Sequence, residues 1–171
     1  GCEEPSVSAG IHSGLRRLSG LLGATVIAGV FAGQAMAAAA LTLVNGSRQL
    51  ELSIDDLHSM EQTTFATENE FVDGKVTYRG PLVRDVLARV GLDQTDNIRF
   101  VAANDYYVDI PTQNFRDYDA ILAIEADGER LSRRDKGPIW LMYPISDFAA
   151  LRDPIYSRRL IWQVVKITAE R

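Results

Sequence analysis

The stretch Lys136-Gly-Pro-Ile-Trp-Leu-Met-Tyr-Pro144 sets a run of apolar residues between a Gly-Pro entry and a Pro exit. Proline cannot donate a ladder hydrogen bond, so two flanking prolines around an apolar run predict a short buried strand. Trp140 lies at the centre of that strand. Its indole either fills a core or forms the floor of a binding site, and the surrounding sequence is needed to choose between the two.

The segments on either side predict an α+β domain built on mixed or antiparallel sheets. Asn45-Gly46 between two apolar runs is typical of a tight hairpin, and Ser53 with Asp56 predicts a capped helix. Pro81 and Gly91 are the expected start and end of a second helix. Further strands are predicted within residues 62–71, 98–111, 120–131 and 158–170.

Residues 1–37 have the parts of a secretory signal peptide. Arg16 and Arg17 precede 14 residues without a charge, and Ala35-Met36-Ala37 is an A-x-A cleavage site. A membrane anchor is the alternative, but the short apolar run and its glycines argue against a stable span. The stretch before Arg16 is acidic, which is atypical and consistent with an over-called start. We therefore expect an exported, periplasmic protein with one mature domain, residues 38–171.

The formal net charge of −5 belongs to this mature domain, because two glutamates cancel two arginines within the first 37 residues. An acidic surface repels phosphate backbones, which argues against nucleic-acid binding. One basic cluster is the exception, and we interpret it as a solvated loop. Its members are Arg130, Arg133, Arg134 and Lys136.

The mature domain lacks the residues that several common chemistries need. The chain's one cysteine, Cys2, lies outside it, and His58 is its only histidine. Zinc, iron-sulfur and copper sites would lack their usual ligands. A serine or cysteine hydrolase would have one base and no nucleophile motif, so we expect His58 to be a surface or half-buried helix residue.

Carboxylates and aromatic residues remain as candidates for a site. The carboxylates that could pair for acid–base chemistry are Glu68, Glu70, Asp105, Asp109 and Asp117. Such residues are common on any acidic surface and do not by themselves indicate an active site. The aromatic residues at predicted strand ends or in loops are Phe65, Tyr106, Tyr107, Trp140, Tyr143, Tyr156 and Trp162. Flat rings beside hydrogen-bonding groups suit a flat, polar heterocycle, and a place in the core is the alternative for each ring.

The order of motifs resembles the molybdopterin-binding domain of the sulfite oxidase-like family. The motifs are YRGPL (78–82), AANDYYVDIP (102–111), ILAIEADGERL (121–131), KGPIWLMYP (136–144) and IWQVVKI (161–167). The resemblance extends over roughly residues 62–169, nearly the whole mature domain. Each motif is moderately specific, and their order carries the resemblance. The resemblance implies the α+β fold of that family.

The sequence departs from the enzymes of this family at three places. In the enzymes a cysteine thiolate shortly before the segment equivalent to YRGPL binds molybdenum, and here that segment, residues 62–71, has no sulfur. An arginine and a lysine that help hold the cofactor's phosphate align with Trp140 and Ile161, and Arg158 or Arg159 could compensate in part. An indole stacks on a ring but does not replace a charge-assisted phosphate contact. The departures imply a protein that binds a non-phosphorylated pterin without molybdenum and is not an enzyme.

The chain is similar to the small exported members of the family that act as pterin-binding regulatory proteins. The partner that this resemblance implies is the periplasmic region of a membrane-bound diguanylate cyclase or phosphodiesterase, an enzyme of cyclic di-GMP metabolism. Two alternatives stay open. One is an oxidoreductase domain that binds a molybdenum cofactor, and the other is an adaptor that has lost every ligand.

The site that follows from this interpretation places Trp140 under the pterin ring, with Tyr107 or Phe65 on the other face. A carboxylate, Asp105 or Glu68, would accept hydrogen bonds from the exocyclic amine and the ring N–H. The full set of expected pterin-binding residues is Trp140, Asp105, Asn104, Tyr107, Phe65, Glu68, Arg159 and Tyr143. Asn104 supplies an amide, and Arg159 is expected to meet the carbonyl or a side-chain hydroxyl of the ligand.

Trp162 is assigned to the core instead. Its predicted strand would place apolar residues on both faces, as a strand covered on both sides does. Both tryptophans of the chain thus have a predicted role, one in the site and one in the core.

Overall fold

The first hairpin forms one edge of a five-stranded sheet. The computed structural model describes residues 38–170, and in it β1 (Leu41–Asn45) and β2 (Arg48–Leu52) pair antiparallel. Gly46 in the connecting turn has a φ of 60°, the left-handed conformation that the Asn-Gly pair predicts. The sheet has the strand order β2-β1-β11-β5-β6, with β11 at Val164–Ala169, β5 at Asn97–Ala102 and β6 at Tyr107–Pro111. The β1–β11 pair is parallel, so the sheet is mixed.

Two antiparallel sheets complete the β structure. A four-stranded sheet has the order β3-β4-β8-β9, and a two-stranded sheet pairs β7 with β10. Their strands are β3 (Thr63–Asn69), β4 (Val72–Gly80), β7 (Ile121–Ala123), β8 (Glu125–Ala126), β9 (Glu129–Arg130) and β10 (Trp140–Met142). The predicted α+β class with mixed and antiparallel sheets is confirmed.

In the described part of the chain, four short helices connect the strands. They are α1 (Ile54–Ser59), α2 (Val83–Ala88), α3 (Gln113–Asp117) and α4 (Pro154–Arg159). The predicted cap of α1 is present, since Ser53 and Asp56 exchange backbone-to-side-chain hydrogen bonds of 3.0 and 2.8 Å. Four 3-10 turns occur at Leu92–Gln94, Arg133–Asp135, Ile145–Asp147 and Ala149–Arg152. No helix within residues 38–170 is long and apolar enough to cross a membrane.

The last predicted strand is the main error at the level of secondary structure. Residues 158–170 are expected as one strand, yet α4 extends to Arg159 and β11 begins only at Val164. Asp153 caps α4 by accepting a 2.9 Å hydrogen bond from the Ile155 N–H, and Pro154 occupies its first turn. These start signals lie before the apolar run, so the chain enters that run from a helix.

The largest buried side chains come from all three sheets and from α3. Trp140, Tyr78, Tyr143, Phe100 and Phe115 are each less than 2% exposed. The Trp140 and Tyr78 rings meet edge to face with centroids 5.6 Å apart, an arrangement that aromatic pairs favour. All described residues, 38–170, belong to one compact unit. The expected signal peptide, residues 1–37, lies outside the described residues.

Gly80 at the end of β4 provides a test of how closely β4 and β7 approach. A Cβ at this position would overlap the carbonyl group of Leu122 in β7. We expect Gly80→Ala to lower the free energy of unfolding by about 3 kcal/mol, because two backbones would have to separate. Urea denaturation monitored by circular dichroism measures the change.

Gly128→Ala is the matched control. Gly128 has a φ of 83°, and a Cβ added there would have no atom within 4 Å beyond the neighbouring residues in sequence. The substitution therefore adds only backbone strain. It should cost about 1 kcal/mol. A Gly80→Ala protein no less stable than this control would contradict the close approach of the two strands.

Candidate functional site

A pocket of about 360 Å³ combines aromatic, apolar and hydrogen-bonding side chains. The residues that line it are Glu70, Phe71, Ala102, Asn104, Tyr106, Ser157, Arg158, Leu160, Ile161 and Trp162. Two other depressions of similar size in the described part of the chain have no aromatic residue in their walls. Small-molecule sites are typically concave, largely apolar and equipped with a few convergent polar groups, so this pocket is the candidate site.

The turn between β3 and β4 supplies one wall. The Asn69 side chain holds this turn, since its Oδ1 accepts a 2.9 Å hydrogen bond from the Phe71 N–H. Its Nδ2 donates to the Tyr78 hydroxyl at 3.0 Å, which ties the turn to the core. An Asx turn of this kind fixes the backbone of the residues that follow the asparagine. The backbone that carries Glu70 and Phe71 is therefore held in place.

The segment between α4 and β11 supplies the second wall. Trp162 forms an isolated bridge with Trp140, and its ring meets Phe71 edge to face with centroids 5.1 Å apart. The buried Trp140 indole donates a 3.0 Å hydrogen bond to the Leu160 carbonyl, and the Leu141 N–H donates to Ile161 O at 2.9 Å. Strand β10 therefore holds this wall in place from behind.

The turn between β5 and β6 closes the pocket against α4. The Asn104 side chain accepts a 3.2 Å hydrogen bond from the Tyr106 N–H. The Tyr106 hydroxyl donates to the carbonyl of Arg158, at a longer 3.5 Å. Ser157 and Arg158 lie in the last turn of α4. One carboxylate, one amide, two hydroxyls and one guanidinium thus surround the aromatic residues of the pocket.

The two tryptophans lie in the opposite places from those that the sequence predicts. Trp140 is 1% exposed and belongs to the core, so it offers no face to a ligand. Trp162 is 37% exposed and lines the pocket. The prediction that Trp162 is a core residue is wrong because residues 160–163 are not in a strand, and Gln163 has a φ of 53° that breaks the expected alternation.

Two of the polar residues that line the pocket lie one or two positions along the chain from the predicted ones. Asn104 lines the pocket as expected. Glu70 and not Glu68 carries the carboxylate of the wall, and Arg158 and not Arg159 carries the cation. Glu68 is exposed on β3, and its N–H donates to the Ser146 hydroxyl.

Arg159 and Asp105 lie near the pocket without lining it. The Arg159 guanidinium lies 5.2 Å from the centre of the Tyr156 ring. Asp105 is exposed with a φ of 66°, at the tip of the turn that carries Asn104. Their neighbours in sequence, Arg158 and Asn104, take the pocket positions instead.

The other expected aromatic residues lie away from the pocket wall. Tyr143 is fully buried, and its hydroxyl accepts a 3.2 Å hydrogen bond from the Asn114 side chain. Burial raises the pKa of Tyr143, so its hydroxyl stays neutral in the core. Phe65 is half-buried on β3 against the core. Neither ring is placed to stack on a molecule in the pocket.

Tyr107 is exposed but engaged on the five-stranded sheet. The Arg99 guanidinium lies 4.1 Å from the centre of its ring and forms a two-point ion pair with Asp109, with both N···O distances 2.7 Å. The hydrogen bonds from Arg99 lower the pKa of Asp109. Asp109 is therefore a structural carboxylate, and it does not line the pocket.

The donor set of the pocket suits a heterocycle better than a thiolate-bound metal. Residues 62–71, which correspond to the cysteine-bearing segment of the resembling enzymes, form β3 and the turn that carries Glu70 and Phe71 into the wall. The side chains there end in oxygen, nitrogen or carbon. Among residues 38–170, no group of three or more metal-ligating side chains is assembled. Because residues 62–71 contain no cysteine, they do not fit a molybdenum held by a thiolate of this segment.

His58 lies outside the pocket wall, on α1. It is half-buried, with its Nδ1 3.7 Å from the Glu125 carboxylate. This agrees with the expectation of a half-buried helix residue.

The different positions of the two indoles predict different effects on stability. Trp140→Phe removes a buried donor and leaves unfilled volume, so the free energy of unfolding should fall by about 2–4 kcal/mol. Trp162→Phe should cost less than about 1 kcal/mol, because the site is partly exposed and the ring remains aromatic. Urea unfolding midpoints compare the two. A larger loss for Trp162→Phe would contradict the assignment of the core indole.

Comparisons with known proteins agree with this fold. The model of a family described as the oxidoreductase molybdopterin binding domain matches residues 40–150. The sulfane dehydrogenase SoxCD from Paracoccus pantotrophus has a similar structure, with a TM-score of 0.57 and 19% sequence identity. That similarity covers 75% of this chain and only 37% of the SoxCD chain. A search of curated proteins gave no match. The chain belongs to the oxidoreductase molybdopterin-binding domain family.

Proposed function

We propose that this domain is a non-catalytic module that binds a pterin ring without molybdenum. The observation that carries the proposal is a partly exposed indole, Trp162, in a pocket that also holds the Glu70 carboxylate and the Asn104 amide. Membership of a molybdopterin-binding family supports a pterin as the ligand. The lack of a cysteine after Cys2 supports a ligand without a thiolate-bound metal.

The ring of the ligand stacks on Trp162 in this proposal. An aromatic side chain can bury on the order of 150–250 Å², and a flat bicyclic ring makes use of that area. Phe71 meets the indole edge-on and restrains it. The apolar side chains of Ala102, Leu160 and Ile161 exclude water around the ring.

The polar edge of the pterin sets the specificity. A pterin presents an exocyclic amine and a ring N–H side by side, and the Glu70 carboxylate can accept a hydrogen bond from each. Asn104 donates or accepts along the same edge, and Arg158 donates to the ring carbonyl. A buried edge group without a partner costs about 1–3 kcal/mol, so these contacts decide whether a pterin binds.

The loss of the phosphate-binding cations supports the proposal of a non-catalytic domain. The cations that hold the phosphate in the resembling enzymes align with Trp140 and Ile161, and both residues are buried apolar side chains here. Arg158 alone remains as a cation on the pocket wall within the described residues. One guanidinium can donate hydrogen bonds to a ring carbonyl, but it does not replace the two cations that hold a phosphate. These features favour a pterin without the phosphate, the dithiolene or the metal.

The biological role in this proposal is regulation from the periplasm. The signal-peptide pattern of residues 1–37 supports export. By the resemblance described above, the partner is the periplasmic region of a membrane-bound diguanylate cyclase or phosphodiesterase. Occupancy of the pocket regulates such a partner only if the pterin favours one state of the complex over the other.

The second candidate is an oxidoreductase domain that binds a molybdenum cofactor, which the family description itself favours. Because residues 38–171 contain no cysteine, the molybdenum would need a different protein ligand. A pterin pocket is common to both candidates. The metal content of the purified protein therefore separates them.

Glu70 and Glu68 provide a matched pair for testing the pocket. Both residues are exposed glutamates two positions apart, and only Glu70 lines the pocket. We expect Glu70→Gln to weaken neopterin binding by about tenfold or more, since a carboxylate that accepts two hydrogen bonds becomes an amide that accepts fewer. Glu68→Gln should bind as the wild type does. Titration followed by calorimetry or by tryptophan fluorescence measures both.

The reverse order, with Glu68→Gln impaired and Glu70→Gln normal, would show that the ligand lies elsewhere. A folded wild-type protein that binds neither oxidised nor reduced pterins would contradict the proposed function and favour the adaptor.

A further inference from the structure

The ammonium group of Lys136 lies in the angle between the two indoles. Its Nζ is 5.5 Å from the centre of the Trp140 ring and 5.6 Å from that of Trp162. The two rings are nearly perpendicular, at 89°, with centroids 6.4 Å apart. A cation within about 6 Å of an aromatic face is attracted to it, and here one cation contacts both rings.

Among residues 38–170, the ammonium group of Lys136 faces these two rings and pairs with no carboxylate. Within the described residues its ammonium takes part in none of the ion pairs. The sequence suggests that the basic cluster is a solvated loop. One of its cations, Lys136, instead lies against the two indoles. Arg133 and Arg134 are exposed, whereas Lys136 is partly buried.

The backbone of the same loop accepts hydrogen bonds from Gln163, the residue after Trp162. The Gln163 N–H donates to the Lys136 carbonyl at 3.2 Å, and its side-chain amide donates to the Arg133 carbonyl at 3.0 Å. Lys136 itself has a φ of 68°, a left-handed conformation in which glycine would be free of strain. A long cationic side chain is thus present at a position whose backbone conformation favours glycine, which has no side chain.

We infer that Lys136 is a positioning residue that fixes the Trp162 indole for ligand stacking. This inference rests on the proposed function, since it assigns a support to the same pocket. Lys136 does not line the pocket, so it acts on a ligand only through the indole. Trp162 is partly exposed, and its ring lies against Phe71, Trp140 and the ammonium group of Lys136. Removal of the ammonium frees the ring to leave the stacking orientation.

Three variants test this support. Lys136→Met keeps the length of the side chain and removes its charge, whereas Lys136→Arg keeps a cation that also pairs with aromatic faces. Lys166→Met, on the exposed side of β11, is the control for the loss of one positive charge. We expect Lys136→Met to weaken neopterin binding by about fivefold to tenfold, and the other two variants to bind within about twofold of the wild type.

A spectroscopic readout tests the contact without any ligand. The near-ultraviolet circular dichroism contributed by Trp162 is the difference between the wild type and Trp162→Phe. Lys136→Met should lose most of this signal and Lys136→Arg should retain it, because a ring free to rotate gives little signal. If Lys136→Met fails to fold, Lys136→Gln is measured in its place.

The outcomes separate this inference from the proposed function. Normal binding and an unchanged Trp162 signal in Lys136→Met would overturn the inference alone. Equal losses in Lys136→Met and Lys136→Arg would also overturn it, since the loop and not the charge would then be responsible. A wild-type protein that binds no pterin would contradict the proposed function, while the spectra would still test the contact.

Discussion

The hydrogen bond from the buried Trp140 indole to the Leu160 carbonyl is the contact on which the pocket depends. It joins the middle of β10 to the segment between α4 and β11, and a backbone bond from Leu141 to Ile161 runs beside it. A buried donor without a partner is costly, so the core favours this one path of the segment. That path carries Trp162 past the end of the sheet and into the pocket wall. The core thus positions this wall of the pocket directly.

Much of the fold could be predicted from local signals. The Asn45-Gly46 turn, the cap at Ser53 and the α+β class rest on contacts between near neighbours in sequence, and the structure contains all three. The order of the family motifs reaches further, because it reflects a whole domain. The family match over residues 40–150 confirms the family and contains four of the five motifs.

The candidate site was harder to predict because its residues depend on tertiary contacts. Alternation along residues 158–170 suggests one strand, but a helix end and the left-handed Gln163 interrupt it. No periodic pattern indicates which of two tryptophans faces a pocket. For Glu68 and Glu70 the deciding feature is the turn held by Asn69, a residue that an Asx-turn pattern could have singled out. Ser157–Trp162 also lie beyond residues 40–150, so the match to the family model gives no information about that wall.

The proposed function requires a pterin and no molybdenum in this pocket. To test it, the full-length protein is purified from the cells that naturally produce it and denatured to release its small molecules, and pterins are measured by mass spectrometry with molybdenum on the same sample. A non-phosphorylated pterin in near-stoichiometric amount and no molybdenum are expected. Stoichiometric molybdenum together with a pyranopterin would contradict it and identify an oxidoreductase domain.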